Sequence, residues 1–196
     1  MEKQVIIING TGGSGKDTFV EFCAKFAKVT NISSVDKVKE AAKILVGWNG
    51  EKDEKSRKLL VDLKKLSIEY NNYPAKYINE QYELFKNSKS DYLFIHIREI
   101  DEIEKTKTLL NAKTLLIRNP RVALITSNDS DGNVYNYKYD YTIENDGTLE
   151  ELKQKAKEFV NGCQWGRRIL TNVLCNVVKM SGYYWQRILD MLKIFN

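Results

Sequence analysis

The stretch VIIINGTGGSGKDTF, residues 5–19, decides which fold this sequence is expected to adopt. It opens with four β-branched apolar residues that run towards a glycine, which indicates a short and fully buried strand. Apolar side chains then recur at helical spacing up to Phe26, so we expect a helix over residues 16–28. The glycine cluster between these two elements is therefore expected to form a strand-to-helix turn.

This turn matches the pattern G-x-x-x-x-G-K between Gly10 and Lys16. Glycines let the backbone curl so that successive N–H groups point at phosphate oxygens, and the helix N-terminus adds the positive end of its dipole. The lysine supplies a full positive charge for the β and γ phosphates. The residues expected to bind the phosphates of ATP are Gly10, Gly12, Gly13, Ser14, Gly15, Lys16, Asp17 and Thr18.

The position after the lysine departs from the usual pattern. A Ser or Thr is expected there to reach Mg²⁺, whereas this chain has Asp17, with Thr18 next. The run SGKDT resembles the loop of phage-type deoxynucleoside monophosphate kinases, and it is similar to adenylate-kinase-like enzymes and to phosphomevalonate kinase. This resemblance implies ATP and Mg²⁺ as cofactors, with the Thr18 hydroxyl near the metal. Asp17 is either a second metal ligand or a first-turn acid that the helix dipole favours.

Composition is that of an ordinary globular domain, with 196 residues, 42% of them hydrophobic and 29% charged. A single histidine and three cysteines without a CxxC pair exclude a Cys/His zinc site and favour a reducing, cytoplasmic setting. No stretch approaches the roughly 20 apolar residues of a membrane span. The net charge is +5, of which residues 163–196 carry +4, so the body lacks the basic stripe expected of a nucleic-acid binder.

Strand and helix patterns alternate along the chain, which predicts a mainly parallel sheet covered on both sides. With the glycine loop, the expected class is a three-layer α/β/α P-loop NTPase fold. Residues 1–161 are predicted to form this domain, with an acceptor-binding helical insert at about 36–88, and residues 162–196 to form a helical appendage. Besides the first strand, strands are expected at residues 31–35, 91–97 and 114–117, and over the alternating tyrosines Tyr135, Tyr137, Tyr139 and Tyr141.

The kinase resemblance extends over about residues 1–161 and implies an acceptor side. SVDKVKEAAK, residues 34–43, looks like the segment that opens the acceptor-binding helices in these enzymes. EKDEKSRKLLVDL, residues 51–63, resembles the helix whose basic residue faces the acceptor phosphate, although a solvated charge is an equal interpretation. The residues implied on the acceptor side are Asp36, Lys39, Arg57 and Glu99.

Arginines follow two of the predicted strands. FIHIREIDEIEK, residues 94–105, places His96, Arg98 and Glu99 at the carboxyl end of a central strand, the edge where ligands bind in open α/β sheets. We expect Arg98 to hold a phosphate bidentately, with a local Arg98–Glu99 ion pair as the alternative. His96 is expected to be a hydrogen-bonded core residue. LLIRNPR, residues 115–121, is similar to the arginine-bearing segment near the lid of monophosphate kinases, which implies Arg118 and Arg121 in a short lid that extends to Asn133.

These assignments predict a small kinase that moves the γ-phosphoryl group of Mg·ATP to a phosphorylated acceptor, with a nucleoside or deoxynucleoside monophosphate favoured. Lys16, Arg98 and Arg118 are the expected catalytic residues, since charge stabilisation dominates phosphoryl transfer. The alternatives are a dephospho-CoA kinase-like enzyme with Asp36 as the base, and a non-catalytic nucleotide-binding module that acts through its tail. The basic amphipathic tail, residues 163–196, is expected to pack on the domain, to form a homodimer or to touch a membrane surface.

Overall fold

The computed structural model of the chain describes residues 3–51, 53–122 and 134–162. These residues contain one five-stranded sheet, with the strand order β2-β3-β1-β4-β5. Every neighbouring pair of strands is parallel. The strands are β1 (Gln4–Asn9), β2 (Val29–Ser33), β3 (Tyr92–His96), β4 (Lys113–Arg118) and β5 (Tyr141–Glu144).

Helices connect β1 to β2, β2 to β3 and β3 to β4, as is usual between parallel strands. Asp53 caps one of them by accepting a hydrogen bond from the Ser56 amide at 2.7 Å. Thr148 and Glu151 form the reciprocal capping box that the sequence suggests at the start of the last described helix. The helices are α1 (Lys16–Cys23), α2 (Asp36–Val46), α3 (Glu54–Asn71), α4 (Tyr73–Asn87), α5 (Ile100–Leu110) and α6 (Leu149–Gly162).

Both faces of the sheet are covered. Val5 and Ile7 of β1 belong to a core cluster with side chains of β2, β3, α4 and α5. Their neighbours Ile6 and Ile8 point to the opposite face, because successive strand residues alternate, and they are also fully buried. The predicted α/β class, with a parallel sheet between helices, is therefore confirmed.

The strand order determines which loops meet. β1 is central, and its carboxyl end is flanked by the ends of β3 and β4, with Ile8 opposite His96 and Asn9 opposite Leu116. The glycine loop after β1 therefore lies between the segment that carries Arg98 and the segment that carries Arg118. This carboxyl edge, where the strand order reverses, is the usual ligand-binding edge of an open α/β sheet.

Three local predictions are corrected. Helix α1 ends at Cys23 rather than at residue 28, because the Lys28 carbonyl accepts the Asp91 and Tyr92 amides and the chain must enter β2 there. Strand β2 covers Val29–Ser33 rather than residues 31–35, and Val35 already precedes α2.

The prediction of a strand over the alternating tyrosines is also wrong. Residues 134–140 form turns, and only Tyr141 begins a strand. The alternating tyrosines make tertiary contacts instead, since Tyr137 packs on the core cluster and the Tyr139 hydroxyl bonds Asn9. The alternating tyrosines therefore do not form one face of a strand, because two of them contact different parts of the domain.

The chain divides into two compact units, Met1–Ala156 and Lys157–Asn196, and helix α6 spans the division. Within the described residues, none of the helices is both long and apolar enough to cross a membrane. Residues 123–133 of the predicted lid and residues 163–196 of the predicted appendage lie outside the described residues, so the expectations for them stay predictions.

Candidate active site

The loop between β1 and α1 has a backbone that only glycine adopts readily at three of its positions, and at two of these, Gly10 and Gly15, neighbouring segments also pack closely. Gly10 has φ +151° and Gly15 has φ +94°. A Cβ on Gly10 would overlap the Ile117 carbonyl oxygen of β4, and one on Gly15 would lie 2.5 Å from Asn145 Nδ2. The glycines of the sequence pattern are therefore required both by backbone conformation and by close packing of neighbouring segments.

Polar groups of the loop suit an anionic ligand. The Lys16 ammonium donates to the carbonyls of Gly10 at 2.7 Å and Thr11 at 2.8 Å, so the cation is held against the loop itself. The hydroxyls of Thr11 and Ser14 are completely buried and have no hydrogen-bond partner among the described residues. Buried hydroxyl donors beside an ammonium and a helix N-terminus match the chemistry of phosphate oxygens.

Asn9 ties the loop to its surroundings, although sequence reasoning passed over it. It is 1% exposed, and its Oδ1 accepts the Gly10 amide at 2.8 Å. Its Nδ2 donates to the Arg98 carbonyl at 3.3 Å and to the Tyr139 hydroxyl at 2.9 Å. Burial of the Tyr139 ring raises the pKa of its hydroxyl to about 12, so the phenol stays neutral. A polar residue at the end of a buried apolar strand was the signal available in the sequence.

The segment after β5 packs on the same loop. Asn145 donates from Nδ2 to the Ser14 carbonyl at 2.9 Å, and its amide donates to the Arg118 carbonyl at 2.6 Å. Arg121 donates from Nη2 to the carbonyls of Asp146 and Gly147. The structure therefore places the predicted lid arginine Arg121 on the loop that opens α6.

His96 ends β3 and is the only histidine of the chain. Its Nε2 donates to Asn31 Oδ1 at 2.9 Å, and its Nδ1 lies 3.8 Å from Asp17 Oδ1. Burial, reinforced by the nearby positive charges, lowers the pKa of His96 to about 4, although Asp17 opposes this shift. The ring is thus neutral near pH 7. The four charged residues whose fields reach it are Lys16, Asp17, Lys39 and Arg98.

The two remaining strand-end arginines differ in their environments. Arg98 is exposed, two residues beyond His96 at the end of β3. Arg118 is half exposed and forms an ion pair with Glu144 at 3.3 Å, and its guanidinium stacks 5.6 Å from the Tyr135 ring centre. In this conformation Arg118 is paired with Glu144 of β5, and the charge of Arg98 contributes to the field at His96.

The residues implied on the acceptor side have different partners in the structure. The Asp36 carboxylate accepts the Ser33 amide at 2.7 Å and lies 3.9 Å from Lys39. Arg57 is exposed near the start of α3. Glu99 is bonded to Lys64 of α3 at 2.7 Å. Lys64 itself was missed, because one lysine among many on a charged helix gives no signal.

Mg²⁺ fits the residues present without a dedicated protein cage. Mg²⁺ in nucleotide sites usually takes one or two protein ligands and completes its coordination with phosphates and water. The described residues hold no group of three His, Cys, Asp or Glu that would bind a metal alone. Thr18, half-buried in the first turn of α1, and the exposed carboxylate of Asp17 are oxygen ligands of the kind Mg²⁺ prefers.

Comparisons with known proteins add little to this description. No protein-family model matches the chain, and none of the curated proteins matches it. Among solved structures, a shikimate kinase from Aquifex aeolicus is similar over 83% of this chain and 99% of its own, at 15% identity and a TM-score of 0.44. The protein TT1252 from Thermus thermophilus is similar over 83% and 98%, at 19% identity and a TM-score of 0.43.

A third similar structure is the APS kinase of Mycobacterium tuberculosis, over 82% of this chain and 98% of its own, at 10% identity and a TM-score of 0.37. Similarity this low carries no argument about activity.

Proposed function

We propose that this chain transfers the γ-phosphoryl group of ATP to a small phosphorylated acceptor, with a nucleoside or deoxynucleoside monophosphate as the favoured substrate. The observation that carries the proposal is the glycine loop between β1 and α1, where a bent backbone and Lys16 lie beside two buried hydroxyls that have no partner in the described part of the chain. Such a loop suits the phosphates of a nucleotide, because its fixed dipoles and charge are already in place before binding.

Roles on the two sides of the loop follow from the charges. Lys16 binds the transferred phosphoryl group, and Arg98 neutralises the acceptor phosphate. Arg118 must leave Glu144 before it can reach the nucleotide, a modest rearrangement for a half-exposed ion pair. Thr18, with Asp17 as the alternative, would hold Mg²⁺, which offsets negative charge on the phosphates.

A phosphorylated acceptor suits this arrangement better than a hydroxyl acceptor. A phosphate is already anionic at neutral pH and needs no general base, whereas a hydroxyl does. Neutral His96 is a weak base because burial lowers its pKa to about 4. The positive charges of Lys16, Lys39 and Arg98 around it suit an anionic acceptor.

The test is acceptor-dependent formation of ADP by the purified full chain with Mg²⁺ and ATP. The acceptor panel contains nucleoside and deoxynucleoside monophosphates, dephospho-CoA and phosphomevalonate. We expect turnover with a monophosphate and a loss of at least about a thousandfold in Lys16→Ala, since charge stabilisation supplies most of the catalysis.

The matched control is Lys25→Ala, which removes a lysine that contacts only the Phe22 ring among the interactions described, beyond the end of α1. It should keep wild-type activity. Tight ATP binding without turnover on any acceptor would contradict the proposal and favour a nucleotide-binding module. Turnover of dephospho-CoA alone would support kinase activity but would contradict a nucleoside monophosphate as the acceptor.

A further inference from the structure

Helix α3 is attached to the domain in an unusual way. It is an 18-residue helix, and its only buried side chains are Ser56 and Lys64. Its leucines between residues 59 and 63 are only partly buried, whereas Leu66 at 61% and Tyr70 at 87% are exposed. A surface helix normally docks through an apolar stripe. On α3 the most deeply seated long side chain is instead a lysine.

Lys64 bridges α3 to the segment that follows β3. Its Nζ lies 2.7 Å from Glu99 Oε2 and 2.7 Å from Glu102 Oε2, and its side chain is only 9% exposed. Burial alone would lower the pKa of Lys64, but the two carboxylates outweigh it and the pKa is raised. The ammonium is therefore charged. Breaking such a buried pair is costly, because an unpaired charge stays behind.

Glu99 directly follows Arg98, so the contact between Lys64 and Glu99 holds the chain next to Arg98. On the loop side, the Arg98 carbonyl accepts a hydrogen bond from Asn9. On the helix side, Lys64 holds the next residue, and Glu102 extends the contact into the first turn of α5. The backbone at Arg98 is thus fixed from both sides, although its guanidinium remains exposed.

The same face of α3 carries Arg57. Arg57 and Lys64 are seven residues apart, about two helical turns, so they lie on one face roughly 10 Å apart along the helix axis. Lys64 is buried where this face meets Glu99, and Arg57 is exposed further along it. A helix anchored at Lys64 therefore holds Arg57 at a fixed position relative to Arg98.

We propose that Lys64 is a positioning residue for the acceptor phosphate: through Glu99 and Glu102 it fixes the Arg98 segment and the Arg57 face of α3 relative to each other. This inference rests on the proposed kinase function and deepens it. Lys64 does not touch the acceptor. It sets the geometry in which two separate elements offer guanidinium groups to one anion.

The test compares Lys64→Met with wild type in full-length protein, in two independent measurements. Steady-state kinetics should give an acceptor KM raised about tenfold, because small displacements of binding groups are costly, with the KM for ATP changed less than about twofold. Hydrogen–deuterium exchange without ligands should become faster in peptides covering residues 97–102 and remain unchanged in residues 10–16.

Two further variants keep the test decisive. Lys58→Met is the matched control, since Lys58 lies on the same helix in an exposed pair with Asp62, and it should leave both measurements unchanged. If Lys64→Met fails to fold, Lys64→Met/Glu102→Gln removes the more buried carboxylate as well. Glu99 then stays alone, and its side chain is 43% exposed and can be hydrated.

A purely structural role predicts a different pattern. Lys64→Met would then lower thermal stability without a selective change in acceptor KM. In an Arg98→Ala background the Lys64→Met effect on acceptor KM should disappear if the two residues act together, and it should persist if they are independent.

Unchanged exchange in residues 97–102, or faster exchange with an unchanged acceptor KM, would overturn the inference. Failure of wild type to turn over any acceptor would overturn the proposed function instead, and the exchange result would still decide whether Lys64 holds this segment.

Discussion

The two sides of the proposed site consist of different kinds of groups. On the donor side, residues 10–18, the proposed phosphate site consists of a bent backbone, a helix terminus and one lysine, all within one short stretch. On the acceptor side, which comprises the end of β3 and helices α2 and α3, the proposed site consists of charged side chains from separate elements. The donor side is therefore constrained at every residue, and the acceptor side depends on how its elements pack.

The contrast predicts where substitutions are tolerated. A residue that determines local backbone geometry cannot be replaced without moving its neighbours, whereas an exposed charge can be removed at little cost to stability. Three measurements, ordered from the largest expected effect to the smallest, sharpen this contrast or break it.

Gly10→Ala should have the largest effect, because its Cβ would overlap the Ile117 carbonyl oxygen and its φ is +151°. We expect a loss of about 3 kcal/mol or more in the free energy of unfolding and no measurable ATP binding. Urea denaturation and calorimetric titration with ATP measure the two quantities.

Gly47→Ala is the matched control for Gly10→Ala. Gly47 also has positive φ, +66°, but a Cβ there would meet nothing within 4 Å. It should cost about 1 kcal/mol of stability and leave ATP binding intact. Equal effects of the two variants would mean that the loop tolerates movement and that the donor side is not the rigid half.

His96, at the boundary between the two sides, should make stability depend on pH. Its folded pKa is about 4, below the usual 6.5, so between these values the unfolded chain binds a proton that the folded chain does not. Stability should therefore fall as pH decreases through this window, by about 2 kcal/mol between pH 7 and pH 5. Urea unfolding at several pH values, in EDTA and without nucleotide, measures this slope.

The control for this slope is His96→Gln, which cannot titrate. Since the chain has no other histidine, the variant should lose most of the pH dependence above pH 5. An equally steep slope in His96→Gln would assign the effect to carboxylates and would contradict the buried, neutral imidazole.

Asp36→Asn should have the smallest effect. The amide oxygen can still accept the Ser33 N–H that the carboxylate now accepts at 2.7 Å, so the start of α2 should persist. A phosphate acceptor needs no base, and kcat should fall less than about threefold. The measurement is steady-state turnover of the acceptor found in the panel. A hundredfold loss would instead identify Asp36 as a base and the acceptor as a hydroxyl compound.

The sequence-based predictions that the structure confirms are those that depend on local patterns. The strand, glycine loop and start of α1 agree, and the capping box at Thr148 and Glu151 forms as expected. Each of these is a local pattern whose cause lies within a few residues. The alternating tyrosines wrongly predicted a strand, because the positions of Tyr137 and Tyr139 depend on contacts with residues far away in the chain. Tyr137 packs on the core cluster, and the Tyr139 hydroxyl accepts a hydrogen bond from Asn9.

The same limit applies to the candidate site residues. Glu99 contacts Lys64, Arg121 contacts the carbonyls before α6, and Arg118 contacts Glu144. Each of these contacts depends on a partner that lies 25 to 35 residues away. The roles assigned to them as acceptor and lid residues stay predictions. Asn145 and Lys64 gave no local signal, because their partners come from other elements.

The sequence by itself determined the phosphate-binding loop, the alternation of strands and helices, and hence the α/β class, since backbone conformation and hydrophobic period are local properties. Only the tertiary structure decided the strand order and so which loops flank the glycine loop. It also decided that a buried lysine anchors the acceptor-side helix. Those outcomes depend on contacts between residues far apart in the chain, where packing, desolvation and charge pairing choose among many arrangements compatible with the same local pattern.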